Sequence, residues 1–283
     1  MDKIRIVFQV CLNNFRKWPT NPRLYVLGLL MILFVKIVDD PIKAFVIATG
    51  VPVTPYAFPF LINGWYSVLM FMFGVVLLFC DAPFADEHQP YTLIRSGKRL
   101  WLLGQILYVF VASAVYFLFI IFLSIAFLMP HVLFSADWGK VWMTLARTTA
   151  GGQFSLSYPV PLRILSSYHP INAMALCFFL CWMVGSFLGL LMYLWNRHLN
   201  RIVGALVAAI LVSLEIIVYF NEYWLAYYSP ISWTSLYLLD PYNISTNPSV
   251  TYAVTGILII NAVLIVLLFI LDPKKDVEVL EQI

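Results

Sequence analysis

The charged side chains that could take part in chemistry are concentrated in one stretch, residues 81–99. Six of its 19 residues are charged, against 11% for the whole chain, and long apolar runs flank it on both sides. Such a stretch lies in water at one membrane face, where it can bind a soluble partner; a plain turn is the alternative, although about 2–8 residues would suffice for one. The side chains predicted to contact the partner are Asp86, Glu87, Arg95, Lys98 and Arg99.

The basic residues of this stretch have the spacing of one helix face. Arg95, Lys98 and Arg99 follow each other at offsets of 0, 3 and 4. We therefore predict a short helix over residues 89–99 that runs parallel to the membrane and then bends into the next apolar run.

Glu215 is the one acidic residue well inside an apolar run. Ionisable side chains at membrane depth are functional candidates, because burying a charge in lipid is unfavourable. Glu215 is therefore a candidate intramembrane polar site. Two structural alternatives remain open: its carboxyl reaches water at the near surface, or it packs in protonated form against a neighbouring helix.

A second group of charges interrupts the far end of the first apolar run. Lys36 and Asp40 are four residues apart, which allows an ion pair along a helix. The same spacing separates Asp39 from Lys43, with Pro41 inside the pattern. We expect this group to form the solvated outer end of the first span; the lining of a charged vestibule is the alternative.

The sequence contains no motif that would bind ATP or cleave a bond. It lacks a Gly-x-x-x-x-Gly-Lys-Ser/Thr loop, a Gly-x-Ser-x-Gly turn and a His-Glu-x-x-His helix. Cys177 and Cys181 share a helix face, but no His or carboxylate lies within a turn, so packing is favoured over a metal or redox pair. We predict no catalytic residue, metal or cofactor in this chain. The net charge of +3 gives no indication of nucleic acid binding.

The composition indicates a membrane protein. The chain is 62% hydrophobic, whereas soluble domains are roughly 45–50% apolar. We predict an all-α, polytopic fold that forms a single transmembrane domain over residues 1–283. A span needs about 20 mostly apolar residues. The six predicted spans are residues 24–41, 61–80, 100–127, 171–194, 202–220 and 252–271.

Three further segments complete the predicted layout. Residues 1–22 predict an amphipathic helix that lies flat at the membrane interface. Residues 128–170 are predicted to lie outside and to contain an interfacial helix, with Trp138 and Trp142 on its apolar face. Residues 221–251, rich in Tyr, Trp and Pro, predict re-entrant outer helices before the last span. With the N-terminus inside, 12 of the Lys and Arg residues fall on the cytoplasmic side and 5 outside, so both termini are predicted to be cytoplasmic.

This layout resembles the membrane subunit of an ABC-2 type ABC transporter over nearly the whole chain. Members of that family have a cytoplasmic amphipathic helix, six spans, a coupling helix in the first cytoplasmic loop and re-entrant outer helices before the last span. The segment of residues 128–170 is longer than the compact family pattern. Two short sequences also resemble those of the family: Asn21-Pro22-Arg23 before the first span, and Ile94-Arg95-Ser96-Gly97-Lys98-Arg99-Leu100-Trp101 in the first cytoplasmic loop.

The resemblance implies an exporter in a bacterial cell membrane. Two permease subunits, identical or different, would pair above cytoplasmic ATP-binding cassette ATPases, which hold ATP and Mg. Independently of the resemblance, the apolar spans and the lack of large outer domains favour an amphipathic or hydrophobic cargo, for example an antimicrobial peptide. Two other functions stay open: an ion-coupled secondary transporter that uses Glu215, and a non-transporting immunity or scaffold protein.

Overall fold

The computed structural model describes residues 3–82, 96–199, 201–220 and 223–271. Within these ranges the chain is all-α, with eleven α-helices, three short 3-10 helices and no β-strand. The α-helices are α1 (Lys3–Arg16), α2 (Pro22–Thr49), α3 (Phe58–Leu61), α4 (Trp65–Phe79), α5 (Lys98–Leu128), α6 (Gly139–Arg147), α7 (Ala150–Gln153), α8 (Leu162–Ser167), α9 (Pro170–His198), α10 (Arg201–Phe220) and α11 (Val250–Leu271).

Four of the described helices are long and apolar enough to cross a membrane, namely α5, α9, α10 and α11. The protein is therefore a multi-pass membrane protein, as the composition predicts. Helix α4 is also apolar, but its 15 residues are fewer than the roughly 20 that a bilayer requires. Helix α2 has 28 residues and differs from the four because charged side chains interrupt it.

Helix α2 is longer than the first predicted span. The side chain of Asn21 caps it by accepting a hydrogen bond from the N–H of Arg23 (3.1 Å). The helix continues through Pro41 and ends before Gly50, which has a φ of +66°. This extension buries Asp39 completely and leaves Asp40 exposed. The predicted solvated end is therefore wrong for Asp39, and neither predicted ion pair forms among the described residues.

Helices α5 and α9 form the centre of the bundle. Helix α9 packs against α4, α5, α10 and α11, and α5 also contacts α1 and α2. Two glycines of α9 permit the close approach of α5. A Cβ on Gly185 would lie 2.3 Å from Oγ of Ser113, and one on Gly189 would lie 2.6 Å from Cγ1 of Val109. Small residues spaced four apart allow membrane helices to pack in this way.

The helix ends form two groups. One end of the bundle, which we name the basic end, contains the starts of α2, α5 and α10 and the ends of α4 and α9. These helix ends contact one another or α1. The basic residues at this end include Arg16, Lys17, Arg23, Lys98, Arg99, Arg197 and Arg201. Residues 50–64, 129–169 and 223–249 contact one another at the opposite end, which we name the loop end.

Helix α1 lies along α5 at the basic end. Asn14 Nδ2 donates to Oε1 of Gln105 (2.7 Å), and Trp18, just beyond α1, donates to the hydroxyl of Tyr108 (2.9 Å). A Cβ on Gly104 would lie 2.5 Å from Cβ of Val10, so glycine brings the two helices together. The opposite side of α1 leaves a row of apolar side chains exposed: Ile4, Phe8 and Leu12. The predicted amphipathic helix is present, and its apolar residues divide between α5 and the surface.

The loop end is a packed layer. Helix α6 corresponds to the helix predicted as interfacial, but the face that carries Trp138 and Trp142 is buried in the protein. The reason is a set of specific partners: Trp142 Nε1 donates to the carbonyl of Thr54 (3.1 Å), and the ring of Phe60 lies 4.8 Å from that of Trp142. The apolar face was predicted correctly, but it packs against protein and not against the membrane interface.

We expect Gly185→Ala and Gly189→Ala each to lower the free energy of unfolding in detergent by about 1–3 kcal/mol, because the new methyl group must displace α5. Unfolding followed by tryptophan fluorescence measures this. Gly28→Ala is the matched control, since a Cβ there meets no atom within 4 Å. Equal effects at all three positions would contradict the packing described.

Candidate functional site

The side chain of Asn196 joins three segments at the basic end. Its Nδ2 donates to the carbonyls of Cys80 (3.2 Å) and Ala82 (2.9 Å), and its Oδ1 accepts from the N–H of Gly204 (2.9 Å). A Cβ on residue 204 would lie 2.3 Å from that oxygen, so this contact favours glycine. Asn196 therefore attaches the beginning of the charged stretch, residues 81–99, to both α9 and α10.

A second contact attaches the same point to α2. Asp81 forms an ion pair with Arg23, and Arg23 also donates to Sγ of Cys80 (3.3 Å). Both charged side chains are about half exposed, so the pair contributes little to the free energy of unfolding. The pair instead fixes the position of α2, because it connects α2 to the same point that Asn196 connects to α9 and α10.

The other end of the charged stretch passes directly into α5. Gly97 has a φ of +78°, which glycine adopts readily, and α5 begins at Lys98. Lys98 and Arg99 are exposed in its first turn. The predicted membrane-parallel helix therefore cannot run unbroken to residue 99. The other residues predicted to contact a partner lie outside the described residues: Asp86, Glu87 and Arg95.

Glu215 is buried at the loop end, with 2% of its surface exposed. Its Oε2 accepts hydrogen bonds from the hydroxyls of Ser232 (2.6 Å) and Ser229 (3.4 Å). Both serines belong to the segment between α10 and α11. No cation contacts the carboxyl group in the described part of the chain. Glu215 therefore points into the protein rather than towards surface water, and it holds this connecting segment against α10.

Asp39 makes a similar contact with the segment between α5 and α9. Its Oδ1 accepts a hydrogen bond from the hydroxyl of Tyr158 (3.1 Å), and both side chains are buried. Burial, together with the nearby carboxyl group, raises the pKa of Tyr158 well above its ordinary value of 10.0, so the hydroxyl keeps its proton and stays a donor. Two buried acids thus each hold one connecting segment.

Asp240 links these two connecting segments to each other. Its carboxylate lies 3.5 Å from the guanidinium of Arg163 and accepts from the N–H groups of Tyr242 (3.0 Å) and Ser245. The hydrogen bonds from Ser245, then that from Tyr242 and the charge of Arg163, hold the pKa of Asp240 below its ordinary value of 3.8. Asp240 is therefore a carboxylate at neutral pH.

Sequence reasoning did not identify Asn196, Tyr158 or Asp240. Asn196 had a usable signal, because an amide near the end of a long apolar helix needs a partner inside the protein. Tyr158 and Asp240 lie in irregular segments, where no periodic pattern indicates a partner. Cys177 and Cys181 are buried, and the described residues contain no group of three or more His, Cys, Asp or Glu that could hold a metal ion.

We expect Glu215→Leu and Ser232→Ala to loosen the segment between α10 and α11 and to lower the free energy of unfolding by about 1–3 kcal/mol. The first removes the acceptor of two serine hydroxyls, and the second leaves Glu215 with only the longer hydrogen bond from Ser229. Glu215→Gln keeps a hydrogen-bond acceptor and should retain most of the stability. Limited proteolysis in detergent and the unfolding midpoint measure both effects. Ser213→Ala is the control, since that exposed hydroxyl bonds only within its own helix; an equal loss there would contradict the assignment.

Acidification should release the Asp240 contact. A carboxylate whose pKa is lowered by folding stabilises the fold at pH values above its ordinary pKa of 3.8. This contribution is lost as the pH falls towards the lower pKa of the folded state. The protection of residues 240–249 from hydrogen exchange, relative to the intrinsic exchange rate at each pH, should therefore fall below about pH 4 in the wild-type protein. Asp240→Asn should show the lower protection already at neutral pH, and its protection should not fall further around pH 4. Parallel pH profiles for the two proteins would refute this role.

Comparisons of this chain with protein families, with curated proteins and with solved structures found no match.

Proposed function

We propose that this chain is the permease subunit of an ATP-driven exporter of the ABC-2 type, with spans formed by α2, α4, α5, α9, α10 and α11. Its basic end would face the cytoplasm, in keeping with the excess of Lys and Arg there. Helix α3, which precedes α4 at the loop end, would extend the short second span. The exposed apolar row of α1 would lie in the cytoplasmic leaflet.

The observation that carries this proposal is that both described ends of the charged stretch are attached to helices. At its beginning, the carbonyls of Cys80 and Ala82 accept hydrogen bonds from Asn196, and Asp81 pairs with Arg23. At its end, α5 begins one residue after Gly97. A plain turn needs no such attachments, whereas a segment that receives a push from a soluble ATPase does.

Force applied to the stretch would have two routes into the bundle. One route enters α5, which has 31 residues and is about 46 Å long. The other passes through Asn196 to α9 and α10. Because α5 and α9 are in close contact at Gly185 and Gly189, the two routes meet at the centre of the bundle. This arrangement suits a permease whose spans rearrange when ATPase subunits close.

The aromatic side chains exposed at the loop end support an outer position for this end, near the lipid headgroups. Two 3-10 helices, Tyr223–Tyr227 and Ser232–Thr234, take the place of the predicted re-entrant helices. Trp224 and Tyr228 are exposed beside them, and aromatic rings with polar tips favour the membrane interface. We propose that this segment dips into the outer interface while Glu215 holds its inner side.

A second permease subunit and an apolar cargo complete the proposal. Helix α10 exposes Ile202, Leu206, Ile210 and Leu214 at four-residue intervals, a surface that suits lipid or a second subunit, identical or different. Amphipathic or hydrophobic cargo, such as an antimicrobial peptide, suits the apolar surfaces. ATP and Mg would be held by the partner ATPase.

Glu215 favours one alternative, an ion-coupled secondary transporter. It is a buried acid without a cationic partner among the described residues. Ser229, which donates a hydrogen bond to it, lines an apolar cavity of about 140 Å³. That function requires Glu215→Gln to abolish transport and requires no ATPase. The anchoring role predicts that Glu215→Gln retains transport, so this one variant separates the two.

The proposed function predicts that the chain purifies with an ATP-binding subunit in mild detergent and that reconstituted vesicles export cargo only with ATP. Reversing the charges of Arg95, Lys98 and Arg99 to Glu should reduce recovery of the ATPase at least about tenfold, because their partner surface is lost. Asn196→Leu keeps those charges, so it should retain the ATPase but uncouple ATP hydrolysis from export.

Lys140→Glu with Arg147→Glu is the control, since both side chains are exposed at the loop end. It should change neither ATPase recovery nor export. Recovery of the ATPase with the triple reversal would remove the docking role of the stretch, and export without any ATPase would overturn the proposed function.

A further inference from the structure

Asp39 on α2 is a fully buried acid whose carboxyl group is hydrogen-bonded on one side only. Its Oδ1 accepts the hydrogen bond from Tyr158 (3.1 Å), whereas its Oδ2 has no hydrogen-bond partner among the described residues. Ser124 of α5 interacts with the same carboxyl group, and its buried Oγ also makes no hydrogen bond within the described chain. Two buried oxygens therefore face each other at this carboxyl group without a hydrogen bond to either.

No positive charge compensates this acid in the part of the chain that the structure describes, where Asp39 forms no ion pair. The titratable groups that act on its carboxyl group are Tyr158 and Asp40, which is an exposed acid on the same helix. An ionised Asp39 would place an uncompensated negative charge in the protein interior, which is far less favourable than burying a neutral carboxylic acid. A bound proton removes that charge and supplies the hydrogen atom that Oδ2 lacks.

Tyr158 connects this acid to an open pocket at the loop end. The pocket has a volume of about 410 Å³, and Thr148, Gly152 and Tyr158 are among its lining residues. Because the Tyr158 hydroxyl binds Asp39, one side chain reaches from the pocket to the carboxyl group. A pocket with hydroxyl groups in its wall can hold water, which can supply or accept a proton.

We propose that Asp39, Tyr158 and Ser124 form a proton-binding site, in which Asp39 carries a proton on Oδ2 at neutral pH and exchanges it with water in the loop-end pocket. Tyr158 donates to Oδ1, so Oδ1 is the carbonyl oxygen of the neutral acid. The Oδ2–H group donates to Oγ of Ser124, which gives both remaining oxygens a partner. Release of the proton transfers it to water and leaves the carboxylate. This site is independent of any ATPase and of Glu215.

The test is infrared difference spectroscopy of the full-length protein in neutral detergent. The difference between the wild-type protein and Asp39→Asn at neutral pH should contain the carbonyl stretch of a protonated carboxyl group, although an exposed aspartate is ionised above about pH 4. Tyr158→Phe should keep this band and move it to higher frequency, because the carbonyl oxygen loses its donor. If Asp39→Asn does not fold, the shift between the wild-type protein and Tyr158→Phe identifies the band.

Tyr56→Phe is the matched control for the tyrosine substitution. The Tyr56 hydroxyl donates to the carbonyl of Ser135 in the same connecting segment (2.8 Å), so its loss loosens that segment without touching Asp39. The acid band should stay where it is in this variant. Glu215→Gln should also leave the band unchanged, which separates the two buried acids.

Access from the pocket is tested by transfer into deuterium oxide, which lowers the frequency of the band as the acid hydrogen exchanges. Gly152→Trp should slow this exchange severalfold, because a Cβ at Gly152 meets no atom within 4 Å and the indole can fill the pocket. Gly28→Trp is the control, since a Cβ there is equally unobstructed and Gly28 lies on α2 outside this pocket.

A missing acid band at neutral pH, or a band that Tyr158→Phe does not move, would overturn the proton site. Equal exchange rates in Gly152→Trp and Gly28→Trp would overturn access through the pocket. If the band is missing and the unfolding midpoint rises with sodium chloride but not with choline chloride, the occupant is a cation, and the proton site is wrong.

Discussion

Hydrogen bonds from buried polar side chains to other segments determine how this bundle is assembled, because a polar group inside a bilayer has no water to bind. Asn14 binds Gln105 between α1 and α5, and Asn196 binds the end of α4 and the start of α10. The apolar surfaces alone would allow the helices to slide or rotate. These few contacts favour the observed arrangement, since losing them would leave buried amide and carboxyl groups without their partners.

The same requirement explains why the loop end is ordered. Asp39 and Glu215 lie on different helices, yet each accepts hydrogen bonds from hydroxyl groups of a connecting segment. Neither carboxyl group has a cation beside it among the described residues, so the hydroxyl donors provide its stabilisation. A connecting segment that left the bundle would expose its acid to lipid without a partner. The segments are therefore part of the fold, and they do not behave as free loops.

The apolar runs were sufficient to predict the helices of the bundle but not their polar partners. The last four predicted spans lie within α5, α9, α10 and α11, with small differences at the ends. Asp39 was misplaced because its partner Tyr158 is 119 residues away, in a segment without periodic pattern. Helix α6 has the predicted apolar face, yet periodicity cannot distinguish protein from the membrane interface as the surface that covers Trp142.

Helix α5 connects the two ends, which has a consequence for any motion of the protein. It begins at the charged stretch, and its residues Gln105 and Tyr108 accept hydrogen bonds from α1 and from Trp18 just beyond it. It ends beside residues that pair with Val53 at the loop end. Because glycines bring α5 and α9 close together, a tilt of α5 towards α9 would meet that helix at once. The α2 and α10 helices that carry Asp39 and Glu215 pack against α5 and α9 respectively, so the buried-acid contacts are joined to the basic end through this central pair.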